Sequence, residues 1–327
     1  MNDRATWLAN KPELTDGFGR SIDTLRLSVT DLCNERCVYC MPEGGVNKRG
    51  HEDMLSLEEL AEIAEAAVAC GISKIRLTGG EPLVRRGVVE LCEKIGALAG
   101  LGELCMTTNG LLLPPVADEL RRAGIARVNL SLDSLRPERY AAITRRGTLA
   151  QALHGLHSAL SAGFRQVKLN MVLMGGVNDD EIGDFIDLTK DAPIEVRFLE
   201  LMPMGECACW PSSRFVSAAE VLRRFPALEP LEQAGVTQRY RMPGHQGAVG
   251  LIRPLSGCFC GECGRIRITP DGMLKPCLHS DIELPLRGLH GEALRGAIRA
   301  GVALKPMRHE LERGGSRAER RMNEIGG

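Results

Sequence analysis

The chain has 327 residues, 44% of them hydrophobic, with 12 cysteines and a net charge of −1. That length holds one large α/β domain with a smaller appendage, and the near-neutral charge excludes a domain-wide nucleic-acid footprint. No apolar run reaches a membrane span and the first residues carry no basic-then-apolar leader, so no membrane partner is expected and the expected setting is the cytoplasm. There cysteines stay reduced, which points to metal binding ahead of disulfides.

A strand-like run, Thr24–Thr30, opens the pattern, and Cys33, Cys37 and Cys40 follow it as C-x3-C-x2-C. Three thiolates leave a tetrahedral zinc incomplete, but they hold three corners of a four-iron cluster. The fourth iron is then open to a ligand such as S-adenosylmethionine, a cofactor of radical chemistry. Polar residues lie between these cysteines and Pro42 to Gly45 follow them, which predicts a loop where sites are commonly placed. The next element is an amphipathic helix with Leu57, Leu60, Ile63, Ala64, Ala67 and Val68 on one face, Ser56 as N-cap and Gly71 as stop.

Strand-like runs recur at Lys74–Thr78, Glu103–Thr108, Arg127–Leu132, Gln166–Leu173 and Ile194–Leu201, with further helical stretches at Ala150–Gly163 and Glu181–Asp191. Strands at this spacing predict a parallel sheet. Six units fall short of the eight of a closed barrel, so a partial, laterally open (β/α)6 barrel of TIM type is expected in preference to a doubly wound sheet. Its chemistry is expected at the C-terminal strand ends. After about Ala208 the rhythm stops, and Pro243–Gly257 reads as turn-rich. The expected division is a barrel over 1–240 and a cluster-bearing appendage over 241–327, able to close the open side.

That appendage carries Cys260, Cys263 and Cys277. They suit a second cluster, or structural zinc if Cys258 is a fourth ligand; Cys207 and Cys209 are further possible donors. Arg265 and Arg267 share one face of an extended segment and read either as an anion site or as a solvated charged strand. There is no G-x4-G-K-[ST] phosphate loop. Cys70, Cys92 and Cys105 fall in helix or strand patterns and read as small buried hydrophobes. His154 and His157 read as packing or surface residues. His279 follows the last cysteine closely enough to orient a ligand.

The segments Leu25–Pro42, Ile75–Pro82, Thr107–Gly110, Asn129–Ser134 and Arg197–Met202 together resemble the radical S-adenosylmethionine superfamily. With Phe259–Arg267, Asp271–Leu278 and the terminal Ile325–Gly327, the resemblance narrows to its GTP 3′,8-cyclases, which open molybdenum-cofactor biosynthesis. It implies two [4Fe-4S] clusters, the first on Cys33, Cys37 and Cys40 and the second on Cys260, Cys263 and Cys277. It implies that Tyr39, the Gly79-Gly80-Glu81 turn, Ser131 and Met202 form the S-adenosylmethionine pocket. Arg26, Arg76, Thr107, Lys168 and Arg197 are then expected to point from several strands at GTP, with Arg265 and Arg267 meeting its charge and the Gly326-Gly327 tail entering the barrel mouth. The resemblance also implies a low-potential electron donor and hand-over of product to the next enzyme of the pathway.

Two positions depart from that pattern. Glu35 stands where an aromatic is common, and Gly264 stands where Asn is usual, which is expected to loosen the placement of Arg265. Two other readings are a peptide-modifying radical enzyme, whose longer cysteine array is not evident, and a zinc or iron–sulfur binding module without catalysis.

Overall fold

The computed structural model describes residues 13–46, 50–311 and 315–326. Twelve strands run in chain order: β1 Thr24–Ser28, β2 Lys74–Thr78, β3 Glu103–Thr108, β4 Ile125–Ser131, β5 Gln166–Leu173, β6 Glu195–Glu200, β7 Glu229–Ala234, β8 Thr237–Arg241, β9 Ala248–Ile252, β10 Arg265–Ile268, β11 Met273–Lys275 and β12 Leu284–Pro285. They form one sheet in the order β12-β11-β10-β1-β2-β3-β4-β5-β6-β9-β8-β7. β1 to β6 pair in parallel as consecutive neighbours, as the strand–helix spacing predicts.

Two later strands lengthen this wall. β10 joins β1 in parallel at one edge and β9 joins β6 in parallel at the other. Among the described residues β9 and β10 do not pair, so the barrel stays open along that seam. Residues 253–264 connect the two strands and so run from one edge of the sheet to the other. Antiparallel β7-β8 and β11-β12 hairpin strands extend the edges outward.

The alternation of each strand sets the layers. Leu25, Leu27, Ile75, Leu77, Val196 and Phe198 are fully buried toward the helices. The residues between them, including Arg26, Arg76 and Arg197, therefore face the barrel interior. The helix Leu57–Ala69 begins as expected, with Ser56 accepting from the Glu59 N–H and the Glu59 carboxylate accepting from the Ser56 N–H in a capping box. It ends before Gly71, whose φ of +116° is left-handed. Leu149–Ser161 matches the second helical stretch, whereas the third is short: a 3-10 turn at Asp179–Glu181 and a helix at Ile182–Asp187.

The turn-rich reading of Pro243–Gly257 is corrected, because β9 lies within it and is almost wholly buried. Gly250 hid the strand. A Cβ there would lie 2.7 Å from Thr237 Cγ2, so β9 needs a glycine where sequence rules read a break. β7 is nearly all exposed and polar, with Pro230 on an edge strand, and gives no apolar alternation to read.

Candidate active site

Pairing directions place the two cysteine triads at opposite ends of the barrel. Cys33, Cys37 and Cys40 follow the C-terminal end of β1. Cys260 and Cys263 precede β10, which is parallel to β1, so they belong to the other rim; Cys277 follows the antiparallel β11 at that same rim. One cavity of about 300 Å³ takes lining from all six thiols. It also brings together Tyr39, Gly79, Gly80, Glu81, Ser131, Met202, Arg26, Thr107, Arg265 and Arg267. Arg76, Lys168 and Arg197 do not line this cavity, and Gly327 lies outside the described residues.

At the first triad, burial above all pushes the Cys33 and Cys40 thiols up to about 12 and holds Cys37 well above its ordinary range. A metal bound here must displace those protons. At the second triad, burial again pushes upward. Arg265, Lys305 and the Arg265 hydrogen bonds outweigh it and bring the Cys263 thiol down to about 6. Lys305 is buried and donates to the carbonyls of Arg265 and Pro276, both at 2.7 Å, which ties the segment after the helix Gly291–Ala303 to this loop. Arg20, held by Asp16 at 2.6 Å, donates to the Cys260 carbonyl at 2.7 Å. Arg265 lies over the Phe259 ring at 5.0 Å.

Gly264 is not the loose hinge expected. A Cβ at this position would approach the Ser21 carbonyl oxygen at 2.6 Å, and its own carbonyl accepts from the Asp23 and Thr24 N–H groups. The glycine lets the chain pack there and fixes the start of β10. Glu35 also has a definite role. It is buried, accepts the Tyr140 hydroxyl at 2.5 Å and lies 3.6 Å from Cys37 Sγ. Burial foremost raises its carboxyl to about 7.

The Gly79-Gly80 turn packs against the cysteine loop: a Cβ on Gly79 would meet the Thr30 carbonyl at 2.6 Å, and one on Gly80 the Leu32 carbonyl at 2.4 Å. Glu81 then accepts from the Thr108 hydroxyl and the Asn109 N–H, both at 2.7 Å, and from the Leu83 N–H at 3.0 Å. Its carboxylate clamps the end of β3 to the turn. Tyr39 donates to Asp133 at 2.7 Å, and Asp133 accepts the Val172 N–H at 2.8 Å. Cys207 is buried and donates to the Met204 carbonyl at 3.2 Å, which makes it a packing thiol. Cys70, Cys92 and Cys105 are buried as expected.

The electrostatics of the interior favour an anion. Arg267, Arg26 and Arg76 are register partners on β10, β1 and β2, three cations side by side at a strand spacing of about 4.8 Å. Burial first, then their mutual repulsion, holds Arg26 well below its ordinary range. Burial leads in lowering Arg76 and Arg267 to about 10. Such a row is unfavourable until a polyanion meets it. Lys168 and Arg197 both meet Glu195, at 2.9 and 2.5 Å, and Arg239 meets it at 3.1 Å. Burial brings Lys168 down to about 7 even though the same cluster holds Glu195 at about 2. The neighbouring Arg197 adds to the effect of burial on Lys168, and one carboxylate serving three cations leaves positive charge over.

Several buried polar atoms lack a hydrogen-bond partner among the described residues: Arg76 Nε, Thr107 Oγ1, both side-chain atoms of Asn129 and Asn170 Oδ1. Asn129 and Asn170 lie on β4 and β5, beside Thr107 and Ser131 in register. Burying such groups unpaired costs about 1–3 kcal/mol each, so their number marks a ligand site. The thiol triads, the cation row and these atoms fit two clusters, S-adenosylmethionine and a nucleoside triphosphate. Sequence reasoning did not single out Lys305, Asp133, Asn129 or Asn170 as site residues. Three of them stand within or beside the quoted strand motifs, and Lys305 has no motif of its own.

Residues 27–189 match the radical SAM superfamily and residues 194–311 match the Molybdenum Cofactor Synthesis C family. The chain is 46% identical to the GTP 3′,8-cyclase of Alkaliphilus oremlandii, over 96% of this chain and 100% of the relative. Identity is 49% to the enzyme of that name from Peptoclostridium acidaminophilum (97% and 99% covered) and 50% to that of Geobacter sulfurreducens (91% and 94%). Among solved structures, Streptococcus suis SuiB bound to S-adenosylmethionine superposes with a TM-score of 0.55 at 12% identity, covering 93% of this chain and 76% of SuiB, a likeness of fold. The chain belongs to the GTP 3′,8-cyclase family of the radical S-adenosylmethionine superfamily.

Proposed function

We infer that the protein is a lyase that cyclises GTP to (8S)-3′,8-cyclo-7,8-dihydroguanosine 5′-triphosphate, the first step of molybdenum-cofactor biosynthesis. The observation that carries this reading is the single cavity joining both cysteine triads across a row of buried arginines. Cys33, Cys37 and Cys40 hold the first [4Fe-4S] cluster, and Cys260, Cys263 and Cys277 the second. When bound, the first cluster and S-adenosylmethionine supply a 5′-deoxyadenosyl radical, and the second cluster offers an open iron to the purine.

The chain's own part is binding and orientation. Tyr39, fixed by Asp133, shapes the adenosyl side of the pocket with Ser131 and Met202. The Gly79-Gly80-Glu81 turn, locked by its hydrogen bonds, presents backbone toward the methionyl end. Arg267, Arg26 and Arg76 neutralise the triphosphate, assisted by Arg265 and by the surplus charge of the Lys168–Arg197 cluster. Thr107 supplies a free hydroxyl. This holds C3′ of GTP near the radical and C8 near C3′, so proximity rather than a side-chain acid or base accounts for the protein's contribution. In the overall change the C3′ hydrogen would leave to the adenosyl group and a C3′–C8 bond would form; two electrons and one proton from outside balance it, one electron for cleavage of S-adenosylmethionine to methionine and the adenosyl group, the other with the proton for reduction of the purine. A low-potential donor supplies both electrons, and the product passes to the next enzyme of the pathway. Reduced cysteines suit the cytoplasm, and no helix among the described residues is long and apolar enough to cross a membrane.

The test is anaerobic reconstitution with iron and sulfide, followed by GTP, S-adenosylmethionine and a strong reductant. The expected products are 5′-deoxyadenosine, methionine and a nucleotide isomeric with GTP in which C3′ is bonded to C8. Uptake of about eight irons without nucleotide conversion would remove the assignment.

A further inference from the structure

The segment 253–264, which runs between the sheet edges, carries a cysteine that the second triad does not use. Cys258 is exposed and stands two residues before Cys260. Beyond the helix Gly291–Ala303 the chain returns, and His309 Nε2 lies 3.9 Å from Cys258 Sγ. The donor atoms of Cys258, Cys260 and His309 all lie within 4.8 Å of one another, and among the described residues no other three histidine, cysteine or carboxylate donors meet that limit.

This spacing has a chemical meaning. Bond lengths of 2.0–2.3 Å put the ligand atoms of a tetrahedral zinc ~3.3–3.8 Å apart. Thiolates on a four-iron cluster each take a different iron and spread wider. Two thiolates and an imidazole are soft and borderline donors that select zinc over magnesium or calcium. His309 Nε2 lies 3.0 Å from the Pro254 carbonyl, which places a proton on Nε2 in the ion-free chain. An incoming ion replaces that bond and moves the remaining ring proton to Nδ1, at the expense of a long 3.4 Å contact from the Leu311 N–H.

We propose that Cys258, Cys260 and His309 form a mononuclear Zn²⁺ site with one open position, and that sharing Cys260 makes zinc capture and assembly of the second cluster mutually exclusive. Two thiol protons leave as the ion enters, and no electron is transferred. The exclusion rests on the placement of Cys260 in the second cluster; the site itself does not.

The test uses the full chain carrying Cys33→Ser, Cys37→Ser and Cys40→Ser, so that the first triad cannot compete. The metal-free, reduced protein is titrated anaerobically with Co²⁺, whose thiolate charge-transfer absorption reports sulfur ligation. One Co²⁺ is expected to bind. Cys258→Ser and His309→Ala should each weaken it at least about tenfold, and Cys277→Ser should leave it within about twofold. Equal weakening by Cys277→Ser would put the ion on the cluster triad and overturn the proposal, as would unchanged binding in Cys258→Ser. In a second arm the same chain is loaded with one equivalent of Zn²⁺ and then given iron and sulfide. Iron uptake should fall from about four to near zero per chain, and Cys258→Ser should restore it. Full uptake in the zinc-loaded parent would overturn the exclusion. A protein that binds its clusters but fails to cyclise GTP leaves both arms intact, so the two readings fail separately.

Discussion

Arg267 donates from Nη1 to the carbonyl oxygen of Gly326 at 2.8 Å. This bond draws the end of the chain onto the inner face of the barrel. Gly326 has a φ of +90°, and a Cβ built on it would lie 2.5 Å from Thr78 Oγ1 and 2.8 Å from Ser28 Cβ. Ser28 and Thr78 are register partners at the ends of β1 and β2. Glycine is therefore required twice, for the left-handed backbone and for the close approach. A guanidinium has five donor hydrogens, so the tail carbonyl leaves Arg267 able to meet a nucleotide as well.

The tail prediction follows from that placement. Deleting Gly326 and Gly327, or replacing both with Ala, should leave iron content and fold unchanged, because neither residue holds a strand. Some cleavage of S-adenosylmethionine should persist, while cyclised nucleotide falls by orders of magnitude. The assay is product formation by the truncated, reconstituted protein; near-normal turnover would mean that the terminus is passive.

The arginine row predicts a trade between stability and binding. Arg265→Ala and Arg267→Ala should weaken GTP far more than S-adenosylmethionine. Each lost charge-assisted bond is worth ~1.5–3 kcal/mol, or roughly 10- to 150-fold in affinity. Arg26→Met should in addition raise the melting temperature of the nucleotide-free chain, since it removes the middle of three adjacent buried charges. Equal loss of both ligands, or a lower melting temperature in Arg26→Met, would mark the row as structural.

Lys168 gives a pH-dependent prediction. Burial lowers its ammonium to about 7 in the folded chain, against an ordinary value of 10.5. Between those values the unfolded chain binds more protons, so the folded state gains stability as pH rises from about 7 toward 10.5. Below about 7 the native state carries the full cost of a charged, buried lysine. Lys168→Met should therefore stabilise the nucleotide-free protein most at pH 6 to 7, with the gain shrinking toward pH 10. The difference in melting temperature between the two proteins across that range isolates this group; a gain that grows with pH would contradict it.

The sequence carries most of the wall of this barrel and all six triad thiols in plain view. β2, β3 and β5 match their strand-like runs end for end because buried apolar residues recur along each of them, on either side of inward polar positions such as Arg76 and Lys168. The edges were harder to read. β9 hides behind Gly250, and β10 joins β1 across more than 200 residues of chain, a pairing that no local pattern encodes. The positions of Arg26 and Arg76 are legible as polar breaks in apolar strands, but their adjacency to Arg267 depends on that distant pairing. Asp133 and Lys305 act through a hydroxyl and two carbonyls respectively, and such partners exist only after folding.

The two triads should separate by phenotype because they sit at opposite ends of the cavity. Cys33, Cys37 and Cys40 stand beside Tyr39 and the Gly79-Gly80 turn, the pocket proposed here for S-adenosylmethionine. Replacing any one of them with Ala should abolish its reductive cleavage. Cys263 and Cys277 stand beside Arg265 and Arg267, the end proposed here for the nucleotide. Their replacement should leave uncoupled formation of 5′-deoxyadenosine while no cyclised nucleotide appears. Cys263 has a further signature in the metal-free chain. Arg265 and Lys305 outweigh burial and hold its thiol at about 6, whereas burial keeps Cys33 and Cys40 near 12. At pH 7 Cys263 is thus mostly thiolate and should be alkylated ahead of the first triad. Mass spectrometry of the metal-free protein after brief alkylation reads this order directly. Full cyclisation by Cys277→Ala, or preferential alkylation of Cys33, would sink the division of labour between the two ends.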